Sequence, residues 1–426
     1  MNKHGAPPIE IIAVGSELLT PYYQDTNSLF ITQRLNDLGL SVQFKSIVGD
    51  SRKDLQISIK NAFARARIIF TIGGLGPTED DQTKEAFASV FKKKLILNEG
   101  VLQKIEQRFR RRGYEMPALN IKQAYIMEDS VILENDKGTA PGLWLETEGR
   151  TIILLPGPPQ ELEPMFESLV WPRLQKYRTH QVERRIMKIT GLTESQIESL
   201  IHDIYPKDPS LQVTILASPG QIEIHLTGHS HKSHQESTVH LAALEKEIRA
   251  RLGENVFSTS GEELEAIVGN MLRDKGKTLS VAESCTGGFL GHRITNVPGS
   301  SEYFIQGIQA YSYLSKKRLL QVDQGLLDTN GAVSAEVAVS MAVNVRSISD
   351  ASFGLAITGI AGPTGGSPDK PVGLVFTALS WSEGEEVARN LFLGNRQTVK
   401  FQSSQKALDM LRRHLLKLEI EKAKKI

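Results

Sequence analysis

The chain has 426 residues, too many for one ordinary core, so two or three domains are expected. Its 50 basic and 49 acidic residues leave a formal charge of +1, which gives no global field to attract nucleic acid. Apolar runs such as Ile152–Leu155 and Gly354–Ile357 are far too short to span a bilayer, and a single cysteine, Cys285, excludes an intrachain disulfide framework and a multi-cysteine zinc site. Met1–Pro8 carries no apolar stretch of signal-peptide type, and a cytoplasmic location is expected. The basic runs Arg108–Arg112 and Lys422–Lys425 fall in helix-like segments and read as solvated faces.

In chain order, Glu10–Val14 reads as a strand, Asn27–Leu38 as a helix stopped by Gly39, and Ser41–Val48 as a strand. Leu55–Ala66 follows as a helix, Ile68–Ile72 as a strand, Thr83–Phe91 as a helix and Thr151–Leu155 as a buried strand. Alternating strands and helices predict parallel crossovers and a sheet covered on both faces. A first domain over 1–171 is expected. Residues 172–258 have a different texture, with strands at Arg184–Thr190 and Gln221–Thr227 and helices at Ser195–Ile204 and His240–Arg251. They read as a small α+β module that leaves through Ser258–Glu263. From 259 to 426 the α/β pattern returns. Helices are expected at Leu264–Asp274, Gly287–Thr295, Ser334–Ile348 and Thr398–Leu418, and strands at Thr278–Ala282, Tyr303–Tyr311, Phe353–Thr358 and Val372–Leu379.

Two segments carry chemistry. In the first, Thr278–Gly288 (TLSVAESCTGG), a strand runs into Ser284 and two glycines open a helix. There, backbone N–H groups and the helix dipole can stabilise developing negative charge. No Ser-His-Asp set accompanies this serine, so a lysine of lowered pKa is the alternative base. Gly307–Ser312 ends a strand and Lys316 follows about a helical turn later, so Tyr311 and Lys316 can both point back at Ser284. Ser284 also suits a helix cap, Tyr311 a strand-end aromatic and Lys316 a surface lysine, while the neighbouring Cys285 is a second candidate nucleophile.

In the second segment, Gly73–Thr83 (GGLGPTEDDQT) follows the strand Ile68–Ile72 directly, which makes an anion cradle at a sheet's carboxyl edge. Asp80 and Asp81 would repel a phosphate unless a hard cation intervenes, and they suit a helix N-cap as well.

VAESCTGG, AYS with a lysine five residues after the tyrosine, GAVS at Gly331–Ser334 and TGIAGPTGGSPDKPVG at Thr358–Gly373 together resemble the CinA C-terminal domain, a nicotinamide mononucleotide amidohydrolase of PncC type. The resemblance covers nearly all of 264–420. It implies Ser284 as nucleophile, Lys316 as base and Tyr311 as proton relay or lysine orienter. Thr358, with amides near Gly359 and Ala361, would hold the substrate or oxyanion. Gly287 allows close approach, and the turn holding Gly365 and Gly366 cradles the 5′-phosphate; no cofactor is implied at this site. One departure is Tyr313, where the family usually has asparagine.

GGLGPTxDDxT, with Asn135…Gly138–Gly142 and Leu155–Pro159, is similar to MoaB/MogA-type molybdopterin-binding proteins and to the CinA N-terminal domain over about 8–170. This implies metal-dependent ADP-ribose pyrophosphatase activity. Mg²⁺ or Co²⁺ would be held by Asp80 and Asp81, with Glu17 and Asp50, and the nucleotide contacted by Asn27, Gly74, Thr78 and Thr83. Thr20-Pro21-Tyr22-Tyr23 departs from the glycine and basic residue that many relatives carry there. The middle module resembles the KH-type insert of CinA proteins, but it lacks a clear GxxG loop, so domain geometry or dimerisation is expected of it rather than RNA binding. The fold implied is a three-layer molybdopterin-binding-like α/β domain, a KH-type α+β module and a CinA α/β domain, in a homodimer that binds neither nucleic acid nor membrane. A non-catalytic molybdopterin or nucleotide module at the N-terminus, and an accessory protein of competence or DNA damage, are the alternatives.

Overall fold

The computed structural model describes residues 7–178, 181–208, 210–230 and 234–423, so Met1–Pro8 and Lys422–Lys425 lie partly outside the described residues. Two compact units divide the chain near Glu183.

In the first unit, β1 (Ile9–Val14) leads through a short turn into α1 (Thr26–Asp37), capped by the Asp25 carboxylate on the Ser28 amide. Then follow β2 (Val42–Val48), α2 (Arg52–Arg65), β3 (Ile68–Ile72), α3 (Thr83–Phe91), β4 (Leu95–Leu97) and α4 (Glu99–Arg111). The unit continues through β5 (Tyr125–Met127), β6 (Val131–Leu133), β7 (Gly142–Thr147), β8 (Arg150–Leu155), α5 (Pro159–Met165) and α6 (Trp171–Leu174). The main sheet runs β2-β1-β3-β8-β7-β6. β1 has a parallel neighbour on each edge and a core on each face, so all six of its residues are buried.

The all-parallel expectation holds for β2-β1-β3-β8 and fails beyond it. β7 and β8 pair antiparallel through a two-residue turn in which Glu148 and Gly149 both take positive φ, 49° and 71°. Such a turn matches the strand twist and forces a hairpin. Each sheet face has its own core. Ile12, Ile69, Phe87 and Leu154 lie on one, and Ile11, Phe70, Ile153 and Phe166 on the other. Leu174 and Tyr177 pack on the second.

The second unit opens with β9 (Gln181–Ile189), α7 (Glu194–Ile201), β10 (Leu211–Ser218), β11 (Gln221–Ser230), α8 (His234–Leu252) and β12 (Val256–Ser258). Its four-stranded sheet has the order β10-β11-β9-β12. β10, which the sequence reading passed over, alternates Leu211, Val213 and Ile215 inward and turns back at Gly220, where φ is 80°.

The remainder comprises α9 (Leu264–Asp274), β13 (Leu279–Glu283), α10 (Phe289–Thr295), β14 (Phe304–Gln309), α11 (Tyr313–Leu320), α12 (Gln324–Asn330) and α13 (Ala335–Ser349). β15 (Phe353–Gly359), β16 (Leu374–Trp381), β17 (Gly384–Leu391) and α14 (Arg396–Ala423) complete it. The sheet order is β14-β13-β15-β16-β17, with the first three strands parallel and the rest antiparallel. Ser334 caps α13 as its sequence suggests, accepting from the Val337 amide. The alanines Ala282, Ala356 and Ala378 let α13 lie close on one face, while Leu279, Val281, Leu355 and Ile357 meet α9 and α14 on the other. β13 thus ends at the centre of a covered parallel edge, and the nucleophile candidate stands at that end.

Candidate active sites

Ser284 follows the last residue of β13, and its amide continues the strand ladder by donating to the Ile357 carbonyl at 2.9 Å. The chain then turns through Gly287 and Gly288, whose φ of 61° and 91° a side chain would strain. Lys316 reaches in from α11, fully buried, with Nζ 2.9 Å from Ser284 Oγ. The same nitrogen donates to the carbonyls of Ala310 at 2.7 Å and Tyr311 at 3.2 Å. A neutral amine has two N–H donors and one lone pair. The two carbonyls take the donors, which leaves the lone pair for the serine hydroxyl. Burial pushes the Lys316 ammonium down to about 8, so about a tenth of the amine is neutral at pH 7 and more above it. Burial pushes the Cys285 thiol up to about 12, which keeps it protonated and removes it as a nucleophile.

Several groups expected to face the substrate here are engaged elsewhere. The helix-terminal amides are not open to an oxyanion. The buried Glu283 carboxylate accepts from Gly288 N (3.1 Å) and Leu290 N (3.0 Å) through Oε2, and from Gly291 N (2.8 Å) through Oε1. The amides of Cys285 and Thr286, by contrast, bond to no other described residue. Tyr311 orients the lysine through its main-chain carbonyl, because its side chain is 65% exposed and the phenol oxygen accepts from Arg396 Nη2 at 3.2 Å. The Thr358 hydroxyl is buried and donates to the Ala332 carbonyl at 2.7 Å, tying β15 to the Gly331–Ser334 loop. Gly359 serves strand pairing, since a Cβ there would sit 2.6 Å from the Leu374 oxygen, and Ala361 belongs to the core. Gly365 and Gly366 lie in the turn beyond it, whose Gly362 carbonyl accepts from Arg396 Nη1 at 2.7 Å.

In the first unit, a cleft of about 410 Å³ opens at the carboxyl ends of β1, β3 and β8. Its wall includes Gly73–Pro77, Gly157 and the carboxylates Glu17, Asp50, Asp80, Asp81 and Glu161. The four residues expected to hold a metal therefore share one cleft, but they do not form a finished ligand set. Among the described residues, no three carboxylate, histidine or cysteine side chains converge. Asp81 Oδ2 accepts from the Thr78 amide at 2.9 Å and from its hydroxyl at 2.5 Å, and Asp50 Oδ2 accepts from Ser16 N at 2.9 Å. Two ammonium groups brace the acidic loop. Lys84, buried on α3 and pushed down to about 8 by that burial, donates to the carbonyls of Lys122, Gln123 and Tyr125. Lys122 reaches back to the carbonyls of Thr78 (2.7 Å) and Asp81 (2.6 Å).

Of the expected nucleotide contacts, Gly74 lines the cleft. Thr78 is held by Asp81, and Thr83 is buried with its hydroxyl on the Gly73 carbonyl at 2.8 Å, which makes it a loop tie. Asn27 donates to Gly157 O at 2.6 Å while its Oδ1 has no partner among the described residues.

Three family descriptions match the chain: "Probable molybdopterin binding domain" over residues 10–176, "Damage-inducible protein CinA KH domain" over 184–258 and "CinA C-terminal domain" over 261–415. A CinA-like protein of Koribacter versatilis is 44% identical over 412 residues, covering 96% of this chain and 99% of its own. The chain belongs to the CinA family.

Another CinA-like protein, from Solibacter usitatus, is 44% identical over 407 residues, covering 95% of this chain and 98% of its own. The competence/damage inducible protein CihA of Agrobacterium tumefaciens, a solved structure, is 34% identical and matches 36% of this chain and 96% of its own with a TM-score of 0.34. Within this CinA chain, Tyr313 fills the asparagine position with a phenol whose oxygen accepts from the Ala332 amide at 3.1 Å, so it supports the same loop that Thr358 ties. Sequence reasoning missed Glu283 and Arg396. The first stood in plain view beside Ser284, and the second lies 85 residues from the tyrosine it meets, with no local pattern to mark it.

Proposed function

We propose that the C-terminal domain hydrolyses the carboxamide of nicotinamide mononucleotide, and that the N-terminal domain hydrolyses the diphosphate of ADP-ribose. The observation that carries the first reading is the buried Lys316 amine at 2.9 Å from Ser284 Oγ. Ser284 Oγ attacks the carboxamide carbon while Lys316 Nζ takes its proton. The oxyanion is received by the unbonded amides of Cys285 and Thr286. Lys316 returns the proton to the departing nitrogen, so ammonia leaves and a Ser284 ester remains. Lys316 then takes a proton from a water that attacks the ester, and returns it to Ser284 Oγ as the acyl C–Oγ bond breaks, so nicotinate mononucleotide is released and the enzyme is restored. No step needs a metal.

Ammonia release from nicotinamide mononucleotide by the full chain tests this reading, and absence of turnover would end it. The pH dependence has a definite sign. Lys316 acts as the neutral amine, so kcat/KM should climb about tenfold per pH unit below its pKa and level off above about 8. A profile that falls with rising pH through this range contradicts the base assignment.

Arg396, exposed beside the glycine-rich turn and Tyr311, is our candidate for the 5′-phosphate contact. Arg396→Gln should raise KM for nicotinamide mononucleotide about tenfold while leaving kcat within about twofold and sparing nicotinamide riboside. Equal losses on both substrates would refute the phosphate contact.

At the N-terminal cleft the donor set is all oxygen and anionic, which suits a hard divalent cation completed by diphosphate oxygens. Asp80, Glu17 and Asp50 would hold that ion, which would supply countercharge and polarise the diphosphate. The engagement of Asp81 with Thr78 favours a second reading, a nucleotide-binding module without catalysis. Product formation from ADP-ribose with Mg²⁺ or Co²⁺ separates the two. Among the described residues no helix is long and apolar enough to cross a membrane. We place the protein in the cytoplasm, as a homodimer acting on small nucleotides.

A further inference from the structure

The segment Ala118–Ala124 packs against the acidic loop, fixed there by the Lys84 and Lys122 ammonium groups. Within it Gln123 is 1% exposed and lines the cleft. Its Oε1 accepts from the buried Asn120 Nδ2 at 2.9 Å. That bond sets which end of the carboxamide faces which way. Asn120 can only donate through Nδ2, so Gln123 Oε1 turns to it and Nε2, which hydrogen-bonds to no described residue, is the end of the carboxamide left for the cleft that Gln123 lines. A carboxamide held in one orientation keeps its unused donor in a fixed direction, ready for an acceptor that enters the cleft. Gln123 is the one side-chain nitrogen among the described residues lining a wall otherwise charged by carboxylates.

We propose that Gln123 is a substrate-binding residue of the N-terminal cleft, donating Nε2–H to a diphosphate oxygen of the bound nucleotide. A neutral donor suits this place. It contacts an anionic oxygen without competing for the cation that must neutralise Glu17, Asp50 and Asp80. Asn120 is a positioning residue that acts only through Gln123. The inference rests on the diphosphate reading of the cleft.

Two near-isosteric variants of the full chain test it. Asn120→Asp replaces the donor by an acceptor, so the carboxamide must rotate, keeping the hydrogen bond between the two side chains but presenting Oε1 to the cleft. Gln123→Glu keeps an oxygen on Asn120 and removes the N–H outright. The probes are ADP-ribose and inorganic diphosphate, titrated calorimetrically with and without Mg²⁺. Each variant should weaken both probes by about 10-fold or more in Mg²⁺, with the thermal midpoint kept, and where one variant fails to fold the other is read. Wild-type affinity retained by a folded variant overturns the inference while leaving the diphosphate reading intact. Weakening confined to ADP-ribose overturns the assignment to a diphosphate oxygen. If the wild-type chain binds neither probe in Mg²⁺, the reading of the cleft itself falls and the inference with it.

Discussion

Lys316→Met should lower ammonia release from nicotinamide mononucleotide by about four orders of magnitude, and Ser284→Ala should do the same. The methionine side chain is close in length and apolar, so it fills the buried channel but has no lone pair for the Ser284 hydroxyl. On the proposed mechanism the two groups, 2.9 Å apart, act as one unit of nucleophile and base, so their losses should not add. The double variant should be no slower than the worse single one. Steady-state ammonia assays on the three variants, with thermal unfolding to confirm folding, decide the matter. A Lys316→Met protein within tenfold of wild type would remove the lysine from the mechanism.

The second large effect belongs to Glu283. Its carboxylate satisfies three amides at the start of α10, those of Gly288, Leu290 and Gly291, in the segment that follows the serine. Glu283→Ala leaves these N–H groups in a buried setting with nothing to accept them. The cost expected is about 3 kcal/mol or more, which for a domain of this size lowers the thermal midpoint by about 6–12 °C. The turn carrying Ser284 would also relax, so activity should fall at least about 100-fold even well below the new midpoint. Glu283→Gln keeps one acceptor oxygen but sets an NH₂ group against an amide N–H, and should fall between the two. Calorimetric unfolding paired with the ammonia assay reads both quantities. An unchanged midpoint for Glu283→Ala would show that the amides find other partners.

Much of this was legible before any coordinates. Thr83–Phe91 and Leu264–Asp274 have the bounds that their apolar spacing and end signals suggest. Ser284 and Lys316 meet as the family motifs imply. The parts that were not legible share a cause: a sequence names a side chain but not the atom that will be used. Tyr311 matters to the lysine through its carbonyl oxygen, which every residue type possesses. Thr358 faces a loop that its own motif gives no hint of. Asp80 and Asp81 look equivalent in sequence, yet Asp81 closes on Thr78. The antiparallel half of the first sheet hung on Glu148-Gly149, a turn whose positive φ at a glutamate has no strong signature.

The bracing of the acidic loop has a consequence for how that cleft fills. Lys84 and Lys122 sit beside it, but their hydrogen bonds go to carbonyl oxygens, and two cations leave a wall of five carboxylates net negative. A bare diphosphate has the same sign as those carboxylates. On the diphosphate reading proposed above, electroneutrality would set the order of arrival: the anion would enter as the salt of a divalent ion, and chelating that ion would block entry before any question of bond cleavage arises.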